Sequence, residues 1–550
     1  MNAILRTNVG RVLSLLLSGL GLGLAACGGS SSVNSHGLPV PQAIAQVMNK
    51  PAYRGSTWSL RVVDLASGQI IYDLNAASPL LIGSVRKLFS VGSALNELGA
   101  QYVFSTPVYA QGTVTASGTL TGNLVLVASG DLLMGGRTNP DGTVAFTNLD
   151  HNEANSLGNA ILSAPDPLAG YDALAAQVAA AGIRQVAGDV VIDDRLFQPF
   201  EFRGEFDVRP IFVNDDVVDV IIDQGSAGAL APVDWRPKSS AFSVQSSLAT
   251  GPAGSALAVE LAPELPACIG SAGCVGTVSG NLPADLVPPL TGQFPLIRTF
   301  RITQPSNYAR TVFIEALERA GVTVTAPVIE PNPVQLLPAT PTYVSSVRVA
   351  QLVSQPYAQY AKLILKVSYN IGADTSLVLF GLAYNGANSM SGALAAEQIE
   401  LPAQFGVPAD QLHFVDGSGG GDTTATGTSV IDMLQGMTGK PVYAAFVDAL
   451  PTLATDGSLA MVTDFQSDPT LAGAKGQVHA KTGTYVTAAT APAEGLVLKG
   501  QALAGYIDAK SGRRLAFELV VNNVPVSSID DVVSVFQDEG TISAIVWKHQ

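Results

Sequence analysis

The stretch SVRKLFSVGSALNELG, residues 84–99, decides how the chain is read. Val85, Leu88, Phe89, Val91, Leu95 and Leu98 recur at helical spacing, and Gly99 supplies a stop. Ser84 and Lys87 open this helix and form the only Ser-x-x-Lys in the chain. Three-residue spacing puts the two side chains on one face, one turn apart. The helix N-terminus adds positive potential at the serine. A lysine whose pKa is depressed by burial and by other cations can take the serine proton, so the serine becomes a nucleophile without histidine. The chain holds 5 histidines and no Gly-x-Ser-x-Gly elbow, which argues against a Ser-His-Asp hydrolase. Alone, the motif also describes a capping serine followed by a surface lysine.

Working outward, WSLRVVDLASGQIIYDL (58–74) reads as a β-hairpin around a Ser-Gly turn, and PQAIAQVMNK (41–50) as a short helix. From about Tyr102 to Phe300 the texture changes to short strands and many turns, with one clear helix at DALAAQVAAAGI (172–183). Gly225 to Pro295, with scattered Gly and Pro, reads as a small β-rich module. A helix follows at ARTVFIEALERAG (309–321), and then Pro327, Pro331, Pro333, Pro338 and Pro341 mark a linker. Beyond it, SVRVAQLVSQ (346–355), AQYAKLILKVSYNIGADTSLVLFGLAY (358–384) and SVIDMLQGM (429–437) read as helical. GQVHAKTGTYVTA (476–488) and the hairpin around AKSGRRLAFELVVNN (509–523) read as strands, and a helix closes the chain. The pattern is an α/β domain interrupted by a β-rich insertion, without internal repeats.

Two further triplets give the Ser-Lys pair its context. Ser368-Tyr369-Asn370 follows a helical stretch, and Lys481-Thr482-Gly483-Thr484 lies in a strand. Other Ser-x-Asn triplets start at Ser32 and Ser279, and Lys510-Ser511-Gly512 is a second Lys-[Ser/Thr]-Gly. Those fall in a polar N-terminal stretch, a turn-rich region and a hairpin tip. One ordered set remains: Ser-x-x-Lys, Ser-x-Asn, Lys-Thr-Gly.

That order resembles the penicillin-recognising serine acyl-transferases and β-lactamases. The surroundings are similar to one branch, the D-alanyl-D-alanine carboxypeptidase/endopeptidase family of the penicillin-binding-protein-4 type (peptidase family S13). The likeness covers most of the chain and includes GNLVLVASGD (122–131), GDVVIDDRLF (188–197) and HFVDGSGG (413–420). It extends to LPTLATDGSLA (450–460), HAKTGTYVTA (479–488) and AGYIDAKSGRRLAF (504–517). The long separation between Ser84 and Ser368 fits this branch better than a compact β-lactamase.

The resemblance implies an α/β (α+β) acyl-transferase domain of the β-lactamase and penicillin-binding-protein kind, split by two β-rich accessory domains. The expected division is 37–107 and 346–550 for the acyl-transferase domain, 108–224 and 300–345 for the first insertion, and 225–299 for the nested second. It implies hydrolysis of the D-Ala-D-Ala bond of peptidoglycan stem peptides, and of D-Ala cross-links, with β-lactams as covalent inhibitors. Ser84 would attack, Lys87 would be the base, and Ser368, held by Asn370 and Lys87, would relay a proton to the leaving amine. Lys481, flanked by Thr482 and Thr484, would bind the terminal carboxylate, and the N–H groups of Ser84 and Thr484, next to Gly483, would form the oxyanion hole. The family usually has Asp where this chain has Tyr369, so Tyr369 is expected to alter groove shape or inhibitor preference. Lys366 reads either as a cation near the Ser-Lys pair or as a solvated helix-face lysine. His479, the Asp416-Gly417-Ser418 turn, Asp456 and Gly457 are expected to be structural. Two other readings compete: a β-lactamase-like hydrolase, and a catalytically silent wall-binding scaffold.

The N-terminus and the composition set the compartment. Arg6 and Arg11 followed by the apolar run Val12 to Leu24 read as an export signal (1–26), too short for a span. Leu24-Ala25-Ala26-Cys27 resembles a bacterial lipobox, so Cys27 would carry lipid and residues 27–36 would be a flexible tether; an ordinary cleaved signal is the alternative. Export favours a disulfide between Cys268 and Cys274, because no neighbouring His or Cys completes a metal site. The expected location is periplasmic, with membrane contact through a lipid anchor alone. Across 550 residues, 47% are hydrophobic and 13% charged, with a net charge of −15, which supplies core material but not the clustered cations that nucleic acid requires. No metal or cofactor is implied.

Overall fold

The computed structural model describes residues 40–488 and 496–550. The signal segment, Cys27 and the tether lie outside the described residues. Both ends of the described chain build one five-stranded antiparallel sheet, in the order Ile70–Leu74, Thr57–Asp64, Arg514–Val526, Leu496–Asp508, Val478–Ala488. The hairpin predicted at 58–74 is its first pair, and Lys510 sits at the turn of its last hairpin.

Side chains alternate across a strand, so a sheet buried on both faces serves two cores. Leu515, Phe517, Leu519 and Val521 enter one core with Ile44, Val47, Val532 and Ile545 from the two terminal helices Gln42–Met48 and Ile529–His549. Ala516 and Val520 face the other core, with Leu88 and Val91 of helix Lys87–Leu98, Leu377 of helix Asn370–Asn385 and Met433 of helix Gly427–Thr438. The helix that follows Ser84 is therefore wedged against the sheet's helical face.

The middle of the chain forms a second sheet with a third large core. Its strands Thr119–Val127, Val103–Val114 and Arg348–Pro356 run side by side, with helices Ala169–Ala180 and Pro305–Arg319 packed in the same core. This sheet draws strands from both sides of positions 107 and 346. It also corrects the helical reading of SVRVAQLVSQ, since Arg348–Pro356 is an edge strand antiparallel to Val103–Val114. Val347, Val349 and Val353 are β-branched, and pairing with a long neighbour overrides a short helix-like spacing. Two smaller sheets follow, one built on Val217–Ile222, Val233–Arg236 and Leu296–Arg301, the other on Val275–Pro283. Cys268 and Cys274 form a disulfide directly before the Val275–Pro283 strand. Among the described residues, no helix is long and apolar enough to cross a membrane.

Candidate active site

Ser84 sits not in the first turn of the α-helix but on a short 3-10 turn, Gly83–Arg86, that leads into helix Lys87–Leu98. The Lys-Thr-Gly strand passes directly over this turn. A Cβ on Gly483 would lie 2.1 Å from the Ile82 carbonyl oxygen, and one on Gly83 would lie 2.8 Å from the Thr484 nitrogen. Two glycines therefore let the turn and the strand meet backbone to backbone, which places the Ser84 and Thr484 segments side by side. Gly83 also has φ +48°, which a side chain would resist.

Arg86, the third residue of the motif, anchors the turn from below. Its guanidinium makes a two-pronged bond with Glu397 (2.8 and 2.5 Å), and its Nε donates to the Asp416 carbonyl. Both side chains are buried.

Ser368 ends helix Tyr357–Val367 in a left-handed conformation, φ +61°, and Asn370 begins the next helix. The triplet is thus a sharp corner between two helices, and it projects both polar side chains toward Lys87. Lys87 Nζ lies 2.7 Å from Ser84 Oγ, 3.3 Å from Ser368 Oγ, 2.7 Å from Asn370 Oδ1 and 2.9 Å from the Ser418 carbonyl oxygen. Lys481 Nζ reaches the far side of Ser368 Oγ at 2.9 Å and also donates to the Thr482 carbonyl. Ser84, Lys87, Ser368, Asn370 and Lys481, far apart in the chain, so form one hydrogen-bonded cluster.

The chemistry of the four contacts on Lys87 orients its lone pair. An amide oxygen and a backbone carbonyl can only accept, so they take two N–H groups of a neutral amine. The lone pair is left toward the hydroxyls, with Ser84 the nearer. Burial favours the neutral form: desolvation, aided by the Arg203 cation, pushes the Lys87 pKa well down against the opposing carboxylates of Asp374, Asp416 and Glu153. Burial and the charge of Lys87 likewise push Lys481 far below the ordinary lysine value.

The neighbouring residues separate into support and bystanders. Asp416 accepts from the N–H groups of Ser418, Gly419 and Gly420, which bends the loop so that the Ser418 carbonyl faces Lys87. Lys366 is neither solvated nor bonded to the Ser-Lys pair: its buried ammonium is held by the Leu450 carbonyl (2.6 Å) and by Asp456 (2.6 and 2.8 Å). Tyr369 does not line a groove. It is 1% exposed and packs into the helical core, where burial raises the pKa of its hydroxyl well above the ordinary value. His479 is half-buried, close to Asp508 and Thr452.

Three side chains of the insertion, Asp150, His151 and Asp215, come close enough together to suggest a cation site. Arg137 fills it, donating to Asp150 and Asp215, while the His151 ring nitrogens face Asp215 and Asp219. Burial opposes a charge on His151, yet the carboxylates of Asp219 (2.7 Å), Asp150 and Asp215 together outweigh it and lift the pKa to about 9. Arg137, His151 and Arg236 thereby match Asp150, Asp215 and Asp219 in charge, and the donor set has no vacancy for a metal.

These elements define the class: a serine acyl-transferase cluster at a sheet edge, carried on a mixed α/β fold with inserted sheets. Residues 40–536 match the D-Ala-D-Ala carboxypeptidase 3 (S13) family, and the chain belongs to that family. It is 27% identical over 511 residues to a D-alanyl-D-alanine carboxypeptidase of an Actinomadura species, which spans 87% of this chain and 80% of the relative. Its fold is similar to penicillin binding protein 4 of Haemophilus influenzae, with TM-score 0.67 at 17% identity over 92% of this chain and 99% of the other. The same Haemophilus protein complexed with a β-lactam matches with TM-score 0.64 at 19% identity and equal coverage.

Two substitutions test the supports. Glu397→Gln leaves the Arg86 guanidinium buried without its counter-charge, and urea unfolding should show a loss of about 3 kcal/mol. Asp456→Asn similarly strands the Lys366 ammonium and should cost about 2 kcal/mol, most of which Lys366→Met restores in the double variant, because an apolar pair needs no compensation.

Proposed function

We propose that the protein is a serine DD-peptidase that hydrolyses the D-Ala-D-Ala bond of peptidoglycan stem peptides through an acyl-enzyme on Ser84. The observation that carries this reading is the placement of Lys87 Nζ, buried, between two acceptor-only oxygens and 2.7 Å from Ser84 Oγ. Neutral Lys87 takes the hydroxyl proton as Ser84 Oγ attacks the penultimate D-Ala carbonyl carbon. The developing oxyanion is received by the backbone N–H groups of Ser84 and Thr484, a type of contact worth about 3 kcal/mol per donor. Ser368, between Lys87 and Lys481, passes a proton to the leaving amine nitrogen as the C–N bond breaks, and free D-Ala departs. Water then attacks the ester carbonyl, gives its proton back through Lys87, and restores Ser84 with release of the shortened peptide acid.

The Val478–Ala488 strand supports a mode of substrate binding. It is the edge of the five-stranded sheet, and its start is covered by the 451–453 segment, with Ala480 N donating to Pro451 O. Beyond that point its outer edge pairs with no further strand among the described residues. An extended stem peptide can add there as a strand, with its terminal carboxylate on the Lys481 ammonium. The carboxylate would restore the charge that burial removes from Lys481. Endopeptidase action on D-Ala cross-links follows from the same acylation, with a cross-linked amine as leaving group. The family relationship supports action on the cell wall outside the cytoplasm, and Cys27 in its lipobox supports lipid anchoring there. We read the chain as a split acyl-transferase domain around two accessory insertions, as the sheets support.

Labelled penicillin incubated with the purified protein should give one stable adduct, mapped by mass spectrometry to Ser84 and absent from Ser84→Ala. An adduct elsewhere, or none, sinks the mechanism, and rapid adduct loss with high turnover would point to a β-lactamase. Lys87→Met should slow acylation by about 10³-fold, the scale of a lost general base. The acylation rate should rise with pH as Lys87 loses its proton. Because its pKa is depressed in the fold, that rise should be complete well below the ordinary lysine value of 10.5.

A further inference from the structure

The inserted region hydrogen-bonds the catalytic cluster through Glu153. Asn370 Nδ2 donates to Glu153 Oε1 at 2.9 Å, while Asn370 Oδ1 accepts from Lys87 at 2.7 Å. Glu153 lies on the short turn His151–Glu153, and its second oxygen accepts from Ser156 Oγ at 2.8 Å. The turn is held rigidly. Asp150 caps it and is bonded to Arg137, His151 is bonded to Asp219, and Asn155 exchanges two hydrogen bonds with Thr299. Just before it, Asn148 Oδ1 accepts from Gly457 N at 2.8 Å.

We propose that Glu153 is a positioning residue for the acylation reaction: its carboxylate locks the Asn370 side-chain amide with the oxygen toward Lys87. This rests on the DD-peptidase reading above and goes beyond it, because it makes a residue of the accessory insertion part of what tunes the catalytic base. An amide side chain has two faces of nearly equal size, one accepting and one donating, and rotation by half a turn exchanges them. With the NH₂ group toward Lys87, Asn370 would stop accepting a lysine N–H, and the lone pair would no longer be directed at Ser84. A carboxylate is acceptor-only when ionised, so Glu153 tolerates just the NH₂ face of Asn370.

The charge of Glu153 acts on Lys87 in addition. The charged groups around Lys87 are Arg203 and Glu153 from the insertion, Asp374 from helix Asn370–Asn385 and Asp416 from the loop before Ser418, with Lys481 of the edge strand, which burial deprives of its charge, beside them. Arg203 favours the neutral amine, whereas Asp374, Asp416 and Glu153 favour the ammonium. Neutralising Glu153 therefore lowers the Lys87 pKa further and moves the acidic limb of the rate profile to lower pH.

The experiment compares acylation rate constants by labelled penicillin across pH for the wild type, Glu153→Gln and Glu153→Ala, with thermal melting of each. Glu153→Ala frees the amide and should slow acylation about tenfold or more, as misplacement of a group next to the base does. Glu153→Gln keeps an acceptor oxygen in place but no charge. It should restore the plateau to within about threefold, with the acidic limb lowered by about half a pH unit. Equal rates and equal limbs in all three proteins overturn the proposal. A loss in Glu153→Ala that the Gln variant does not rescue, accompanied by equal drops in melting temperature, assigns Glu153 to scaffolding and also overturns it. A wild-type protein that takes no label at Ser84 would instead overturn the underlying acyl-enzyme reading.

Discussion

A lysine ammonium buried without a counter-charge is among the costliest groups a protein can hold, and the active site is organised around that cost at Lys87. Desolvation favours the neutral amine, the form that the proposed mechanism uses. Holding the amine neutral still requires partners for its N–H groups, and the fold provides Asn370 from a helix corner and the Ser418 carbonyl from a glycine-rich loop. Each of those partners needs its own support. Asp416 shapes the loop, Arg86 ties that loop to Glu397, and Glu153 engages the far face of Asn370. The energetic demand of one side chain thus spreads through three elements of the helical core and one of the insertion.

The second constraint is proximity of backbone. A serine turn and a strand edge cannot approach within van der Waals contact if either carries a side chain, and Gly83 and Gly483 remove that obstacle from both. In the Lys-Thr-Gly motif, each residue consequently answers a different need. Lys481 reaches Ser368, Thr482 bonds Ser458, and Gly483 admits the turn beneath it.

The sequence disclosed what side-chain chemistry and short-range spacing encode. The helix after Ser84, the two sheet hairpins and the five polar residues of the cluster were visible because each depends on residues close in the chain or on an ordered motif. Backbone participants were not: nothing in the letters DGSG marks the Ser418 carbonyl as a partner of Lys87. Glu153 was hidden for another reason, since its partner Asn370 lies 217 positions away in a different sheet's territory. SVRVAQLVSQ shows the limit of local periodicity, as its strand exists through pairing with Val103–Val114. Lys366 and Tyr369 read as polar or groove-facing, and only their three-dimensional neighbours reveal a buried ion pair and a packed ring.

The sheet that carries Lys481 joins the two ends of the chain: Ser59 on one central strand bonds Glu518 on the next, 459 positions later. Loop-closure entropy grows only slowly with length, by about 0.6 kcal/mol per doubling, so the cost in stability is small. The cost in time is not, because distant pairings form late. Until the last hairpin docks, Ser84 has neither the edge strand above it nor Lys481 beside Ser368. The five-residue cluster is therefore complete only once strands from both ends of the described residues have paired into one sheet.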